Sequence, residues 1–337
     1  MSLSITRIKQ IFDAMNRTKV GVLGDLMLDI YISGPANRLS QEAPVPVLLV
    51  RNQETRLGGA ANVMHNIMSL APGAQVSAFG VVGEDAQGAQ LKQLLCNDNI
   101  GVKGVLIDSS RRTTLKQRVI VSGQQVVRMD VEDTHPINGK VLEDMTALLL
   151  DAIRAHQFDA LVFEDYAKGL LSKEMLQQIA DAARAEGILT TLDPHPGHPM
   201  QIRNLSLMTP NRAEAFGLAG IYCSDATKKV EEDESLKLVA SRILETWNPD
   251  SLLITLGHQG MALFKEGQPM LAIPTIAREV FDVSGAGDTV IATYTLCKAA
   301  GATDDEAAVI ANHAAGIVVG KRGTATTCQD EILKSFE

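Results

Sequence analysis

Between Gly139 and Thr255 short apolar runs alternate with helical patterns, and this alternation restricts the fold more than any other feature of the chain. A helical stretch at about 139–155 leads to Ala160-Leu161-Val162-Phe163, and another at 172–186 leads to Ile188–Asp193. Ser206–Thr209 is a further short run, and a helix near 231–245 leads to Ser251–Thr255. Runs that are apolar throughout, rather than at every second position, belong to strands covered on both faces. Strands of that kind joined by helices build a parallel sheet with helices on either side.

The upstream half is less regular. Lys19–Gly24 reads as a strand ending at Asp25, and Pro44–Val50 is extended, with prolines of the edge type. Gly58-Gly59-Ala60-Ala61-Asn62 opens a helix that runs through Leu70, followed by a strand at Gln75–Val82 and a helix at Asp85–Asn97. Residues 103–107, 114–121 and 125–131 read as short strands with polar alternation, which points to a small separate sheet. Two helical stretches, 288–300 and 304–319, close the chain. No repeat or linker divides it. The expectation is one α/β domain over residues 1–337, with a mostly parallel central sheet covered by helices on both faces. A small β lid would come from insertions at about 30–57 and 103–131.

With 337 residues and 45% hydrophobic content the chain can bury a large core. Its formal charge of −9 argues against a nucleic-acid face, which needs a basic excess. Four separated cysteines form no C-x-x-C, so reduced thiols are expected. Ile5–Phe12 has amphipathic helical spacing and too much charge for a signal segment, and no apolar run spans a bilayer. Together these place the chain in the cytoplasm.

The sharpest local signal is Phe281-Asp282-Val283-Ser284-Gly285-Ala286-Gly287-Asp288-Thr289 at the mouth of a predicted helix. Small residues there expose backbone N–H groups where the helix dipole favours an anion. Asp288 beside a transferring phosphoryl group could accept the proton of an attacking hydroxyl. The same residues also fit a Gly-rich turn with Asp as helix N-cap. Gly58 to Asn62 is a second small-residue helix start, in which Asn62 can bind sugar hydroxyls or the glycines can simply serve packing. Thr255-Leu256-Gly257-His258-Gln259-Gly260 follows a buried strand, where a flat nucleotide or a plain turn would fit. Asn211 and Glu214 suit a capping box, or magnesium through water. Asp25 and Asp29 suit hydroxyl-rich ligands or a solvated loop. Neither a P-loop nor a clean G-x-G-x-x-G is present.

Taken in order, Gly58–Asn62 near the start and Asp282–Thr289 near the end resemble the two signatures of the ribokinase-like (PfkB) carbohydrate kinases. Asn211/Glu214 and Thr255–Gly260 fall between them, so the resemblance covers nearly the whole chain. Gly24–Tyr31, Arg38–Val47, Glu164–Gly169 and Val319–Thr324 look most like the heptose-7-phosphate kinases of bacterial ADP-heptose and lipopolysaccharide core synthesis.

The resemblance implies a ribokinase-like fold, ATP and Mg2+ as cofactors, and a lid that mediates homodimers. It makes Asp288 the base and Gly285, Ala286 and Gly287 the anion hole. Gly257 and Gly260, with Thr255, Ser284 and His195, would lie on the nucleotide side, and Asn211 and Glu214 near magnesium. Asp25, Asp29, Gly58, Gly59, Asn62 and Asp165 would lie on the sugar side. A 7-phosphate needs cations, for which Lys116 and Arg118 at i, i+2, Arg128 on a neighbouring strand, and Lys168 are the candidates; a solvated charged strand face is the other reading. Heptose kinases commonly have Asp-Pro-Lys-Gly where this chain has Asp193-Pro194-His195-Pro196-Gly197. His195 could replace the lost charge in part, whereas zinc at His195 and His198 lacks a third ligand. The acceptor could instead be an unphosphorylated sugar, and a non-catalytic sugar or nucleotide sensor is the reading from another class.

Overall fold

The computed structural model describes residues 3–223, 226, 229–277 and 279–337. The first half contains α1 (Ile5–Met15), β1 (Lys19–Gly24), β2 (Leu26–Ser33), β3 (Arg38–Leu39), β4 (Pro46–Val47), β5 (Asn52–Gly59) and α2 (Ala60–Leu70). After these come β6 (Gln75–Val82), α3 (Ala86–Asn97), β7 (Gly101–Ile107), β8 (Thr114–Val121), β9 (Gln124–Val131) and α4 (Gly139–Arg154). The regular region supplies β10 (Ala160–Glu164), α5 (Lys173–Ala185), β11 (Leu189–Asp193), β12 (Leu207–Met208), α6 (Arg212–Ala219), α7 (Glu234–Trp247) and β13 (Ser251–Thr255). β14 (Met261–Phe264), β15 (Leu271–Ile273), α8 (Ala286–Ala299), α9 (Asp304–Val318) and α10 (Gln329–Ser335) complete it.

The main sheet has the order β15-β14-β13-β12-β11-β10-β1-β6-β7. From β7 to β13 every neighbour pairs in parallel, and the inner strands β1, β6, β10 and β13 are buried along almost their whole length, as a sheet covered on both faces requires. Helices on the two faces close two cores. One gathers Ile8, Ile11, Val63, Ile67, Val290 and Ile310; the other gathers Met145, Leu149, Leu176, Ile179, Phe216 and Ile243. The antiparallel pair β14–β15 at one edge was not anticipated from the sequence.

The lid is a separate sheet of order β5-β2-β8-β9. It differs from the expected insertions in two ways. Residues 103–107 belong to β7 and pair in parallel with β6 at the edge of the main sheet. The reason is local: Val105 is buried, and Gly104 lies against the Phe79 ring, where a Cβ would come within 2.4 Å of Cδ1. The lid also begins earlier than residue 30, because β2 starts at Leu26 directly after Asp25. Of the Pro44–Val50 stretch, only Pro46–Val47 is strand, and it pairs with Arg38–Leu39 outside the lid sheet. No described helix is long and apolar enough to cross a membrane.

Candidate active site

α8 begins at Ala286 with Gly285 as its N-cap, at φ +78 and with no side chain capping the first turn. The first N–H groups of a helix have no intrahelical acceptor, so this end is open to an anion. Two groups in the loop are committed: Ala286 N–H donates to Val283 O at 3.2 Å and Ser284 N–H to Asp282 Oδ1 at 2.9 Å. Asp282 also accepts from Gly323 N–H at 3.1 Å, which ties the loop to the turn after α9. Asp288 is the third residue of the helix. It does not cap it; its carboxylate turns inward.

There Asp288 Oδ2 accepts from Asn62 Nδ2 at 2.6 Å, and Oδ1 from the Tyr166 hydroxyl at 2.8 Å. Asn62 is held in turn, since Asn66 Nδ2 donates to its carbonyl and Thr289 Oγ1 donates to Asn66 Oδ1. Burial raises the Asp288 carboxyl above the usual range, against the lowering effect of Asn62 and Tyr166. The result is a buried, oriented carboxylate beside an open helix end, which can take a proton from a hydroxyl and favours that transfer more than a solvated acid would.

Glu164 ends β10, Asp193 ends β11, and the two are paired in register. With Asp288 they form a group whose oxygens lie within 4.8 Å of one another. Both Glu164 carboxylate oxygens are buried without a hydrogen-bond partner. Burial first, then the neighbouring acids, pushes Glu164 and Asp193 well above the carboxylate range. Hard oxygen donors with unmet capacity fit a divalent cation such as magnesium. The expected metal residues sit differently. Asn211 Oδ1 accepts from Glu214 N–H and Glu214 Oε2 from Asn211 N–H, a complete capping box on α6. Asn211 therefore has its side-chain oxygen occupied by the helix, while Glu214 stands close enough to raise Asp193.

Of the residues expected on the sugar side, Asp25 Oδ2 accepts from the N–H groups of Tyr166 at 2.9 Å and Lys168 at 3.1 Å. Gly58 and Gly59 pair with Met27 and Leu26, so they pass beside Asp25 at the root of the lid. Burial raises the Asp25 carboxyl from 3.8 to about 6. A folded-state pKa above the unfolded one gives stability that is full below about pH 4 and lost as pH rises through about 6, so ionised Asp25 costs roughly 3 kcal/mol at neutral pH. Asp25→Asn keeps an acceptor for both N–H groups without the charge. It is expected to raise the melting temperature at neutral pH by several degrees, an advantage that vanishes in acid. Thermal melts at both pH values check this, and no gain at neutral pH would refute the cost assigned to the charge.

The lid cations are largely paired. Arg118 Nη1 lies 2.6 Å from Asp29 Oδ1, Arg128 Nη2 lies 2.9 Å from Asp130, and Lys168 Nζ lies 2.8 Å from Glu132. Asp29 is thus engaged by Arg118 rather than presented to a ligand. Lys116 is placed differently: its Nζ sits 5.3 Å from the centre of the Tyr166 ring, and burial lowers its ammonium below the usual range. Asp165 accepts from Ala167 N–H at 2.8 Å, and its other oxygen lies 2.9 Å from His198 Nδ1. The His198 ring is thus engaged by Asp165, and no metal-capable group containing either histidine occurs among the described residues.

Of the residues expected on the nucleotide side, Asn211 and Thr255 meet beyond β12 and at the end of β13, where they form a parallel bridge. Gly257 (φ +58) has open space around it, whereas Gly260 is fixed by the turn, since a Cβ there would come within 2.0 Å of Ile273 O. A groove of about 800 Å³ runs beside His258 and Gln259, with Pro274 and Thr275 on its other wall. His195 Nδ1 accepts from Gly197 N–H at 3.1 Å, which leaves Nε2 for another partner.

Sequence reasoning did not assign Tyr166, Glu164 or Asp193 a role at the base. An acid ending an otherwise apolar strand is a legible signal, as in Ala160–Glu164. The Tyr166 contact becomes visible only once β10 and α8 are placed side by side.

The profile described as pfkB family carbohydrate kinase matches residues 17–332. Over 326 residues the chain is 41% identical to Bifunctional protein HldE of Citrifermentans bemidjiense, covering 97% of this chain and 65% of that protein. The Geobacter sulfurreducens protein of the same name is 41% identical over 317 residues, with 94% and 62% covered. The chain thus spans a little under two thirds of these relatives. Escherichia coli phosphofructokinase-2 solved with fructose-6-phosphate shares the fold, with a TM-score of 0.72, 20% identity and 95% and 98% covered. So does Arabidopsis thaliana ribokinase complexed with ribose and ATP, with a TM-score of 0.69, 19% identity and 95% and 99% covered.

Proposed function

The chain belongs to the pfkB family of carbohydrate kinases, and we propose that the acceptor it phosphorylates is D-glycero-D-manno-heptose 7-phosphate, at O1, giving the 1,7-bisphosphate for ADP-heptose synthesis in the cytoplasm. The single observation behind the transfer step is the Asp288 carboxylate, buried beside the uncapped start of α8 and held by Asn62 and Tyr166. It would take the O1 proton as the γ-phosphoryl group of ATP moves across, while the N–H groups of Gly285 and Gly287 face the transferring oxygens, that of Ala286 being held by Val283 O.

ATP would lie along Asn211, Thr255 and Gly257, with its base toward the His258–Thr275 groove. Magnesium would be held by Glu164 and Asp193, with Glu214 nearby, and would supply neutralisation of phosphate charge. The sugar hydroxyls would meet Asp25 and Asn62. His195 stands in the Asp193–Gly197 segment, where the resemblance to heptose kinases leads to the expectation of a lysine, and its Nε2 would face the phosphates.

The heptose phosphate itself is supported by the relatives named above and by Lys116 on the lid. Lys116→Ala is expected to raise KM for heptose 7-phosphate by roughly ten- to a hundredfold, the scale of a lost charge-assisted hydrogen bond, and to leave an unphosphorylated acceptor little affected. Initial rates over a panel of sugars and sugar phosphates test this, and equal effects on both classes of acceptor would count against the phosphate. One observation favours the second reading, an unphosphorylated sugar: Arg118, Arg128 and Lys168 already have acidic partners. The outer lid strand exposes Val126, Val127 and Met129, an apolar face that we assign to a second copy of the chain.

A further inference from the structure

The geometry points to Tyr166 as a positioning residue for the base, its hydroxyl fixing the Asp288 carboxylate and its ring linking that carboxylate to the lid cation Lys116. The inference rests on the reading of Asp288 as base and adds a residue that the reading does not require.

A carboxylate held through one oxygen can still rotate about its side-chain bonds. Held through both, its plane is set. Asn62 Nδ2 takes Oδ2 and the Tyr166 hydroxyl takes Oδ1, from two separate elements, α2 and the loop after β10. A phenol is both donor and acceptor, and toward the Asp288 carboxylate, which only accepts, the Tyr166 hydroxyl is the donor.

The loop that carries Tyr166 is itself over-determined. Asp25 accepts the N–H groups of Tyr166 and Lys168, Asp165 accepts that of Ala167, and Arg111 Nη1 donates to Lys168 O at 2.8 Å. Ala167 sits at φ +53, a left-handed conformation that is uncommon for a residue with a side chain. Such a conformation persists only where its surroundings enforce it, and it clusters at functional sites.

The ring has a second neighbour. Lys116, on β8 of the lid, places its ammonium 5.3 Å from the ring centre. One side chain therefore touches the base with its hydroxyl and the lid cation with its face. An anionic group on the acceptor that engages Lys116 is sensed at the residue that orients Asp288.

Tyr166→Phe removes only the hydroxyl and keeps the ring. Its kcat is expected to fall about tenfold or more, with KM for ATP and acceptor each within about threefold of the parent, because the loss acts in the transition state. Tyr166→Met removes the ring as well. It should match the Phe variant in kcat and in addition raise KM for a phosphorylated acceptor as Lys116 loses its platform. Thermal melts and ATP binding by calorimetry establish that each variant is folded. A folded Phe or Met variant with kcat within twofold of the parent overturns the inference. Asp288→Asn is measured alongside. If it is inactive while Tyr166→Phe is fully active, only this inference fails; if it turns over normally, the base assignment fails first.

Discussion

Asp288→Asn should lower kcat by about two to four orders of magnitude while ATP still binds, the usual scale for losing a general base. The substitution preserves shape but changes what each atom can do. Asn62 and Tyr166 both donate to the carboxylate, whereas an amide offers one acceptor oxygen and one NH2 group. One donor must turn away, and the amide has no site for the acceptor's proton. The fold should be kept, because the neutral replacement avoids the cost of burying the ionised Asp288, which offsets the hydrogen bond it loses. Steady-state rates with calorimetric ATP titration decide the matter. Near-normal turnover would remove Asp288 from the reaction.

Gly285→Ala is the second large effect, expected to reduce kcat about a hundredfold, comparable to losing one donor at an anion hole. At φ +78 an alanine pays about 1–2 kcal/mol in backbone strain. The Cβ would also come within 2.9 Å of Asn62 Nδ2, displacing the donor that holds Asp288 Oδ2. Gly220→Ala separates the two causes. Gly220 has φ +65 at the end of α6, and nothing lies within 4 Å of its added Cβ. It should show the strain in thermal melts and leave kcat alone. If the two variants lowered kcat equally, the collision with Asn62 would not explain the loss.

The parallel sheet and its covering helices were legible because unbroken apolar runs such as Ala160–Phe163 and Leu252–Ile254 alternate with helical patterns. So was the α8 loop, whose small residues and acid mark an open helix end. Position across the sheet was not. A short strand such as 103–107 carries no label for the sheet it joins, and Gly104 settles that only when Phe79 lies beside it. The β14–β15 hairpin escaped because Met261–Phe264 is too short to distinguish from a turn. At the site, Glu164 and Asp193 come together through strand register, and Asn62, Tyr166 and Asp288 through three elements far apart in the chain. The lid cations were visible as charges, whereas their partners Asp29, Asp130 and Glu132 depend on side-chain direction.

The lid leaves the main sheet without a linker. β2 follows β1 across the single residue Asp25, and β5 runs straight into α2, with Ala60 N–H donating to Asp25 O at 3.1 Å. β8 is anchored at Thr113 by Asp85, and the end of β9 by Arg112 with Asp133 and Lys168 with Glu132. A sheet clamped along one edge in this way bends as a cantilever does, little at its root and most at its tip. The root holds Asp25, Asp29 and Lys116; the tip is the Ser122–Gly123 turn at the far end of β8. A bend of the lid therefore displaces its tip while the residues at its root keep their register with Asp288.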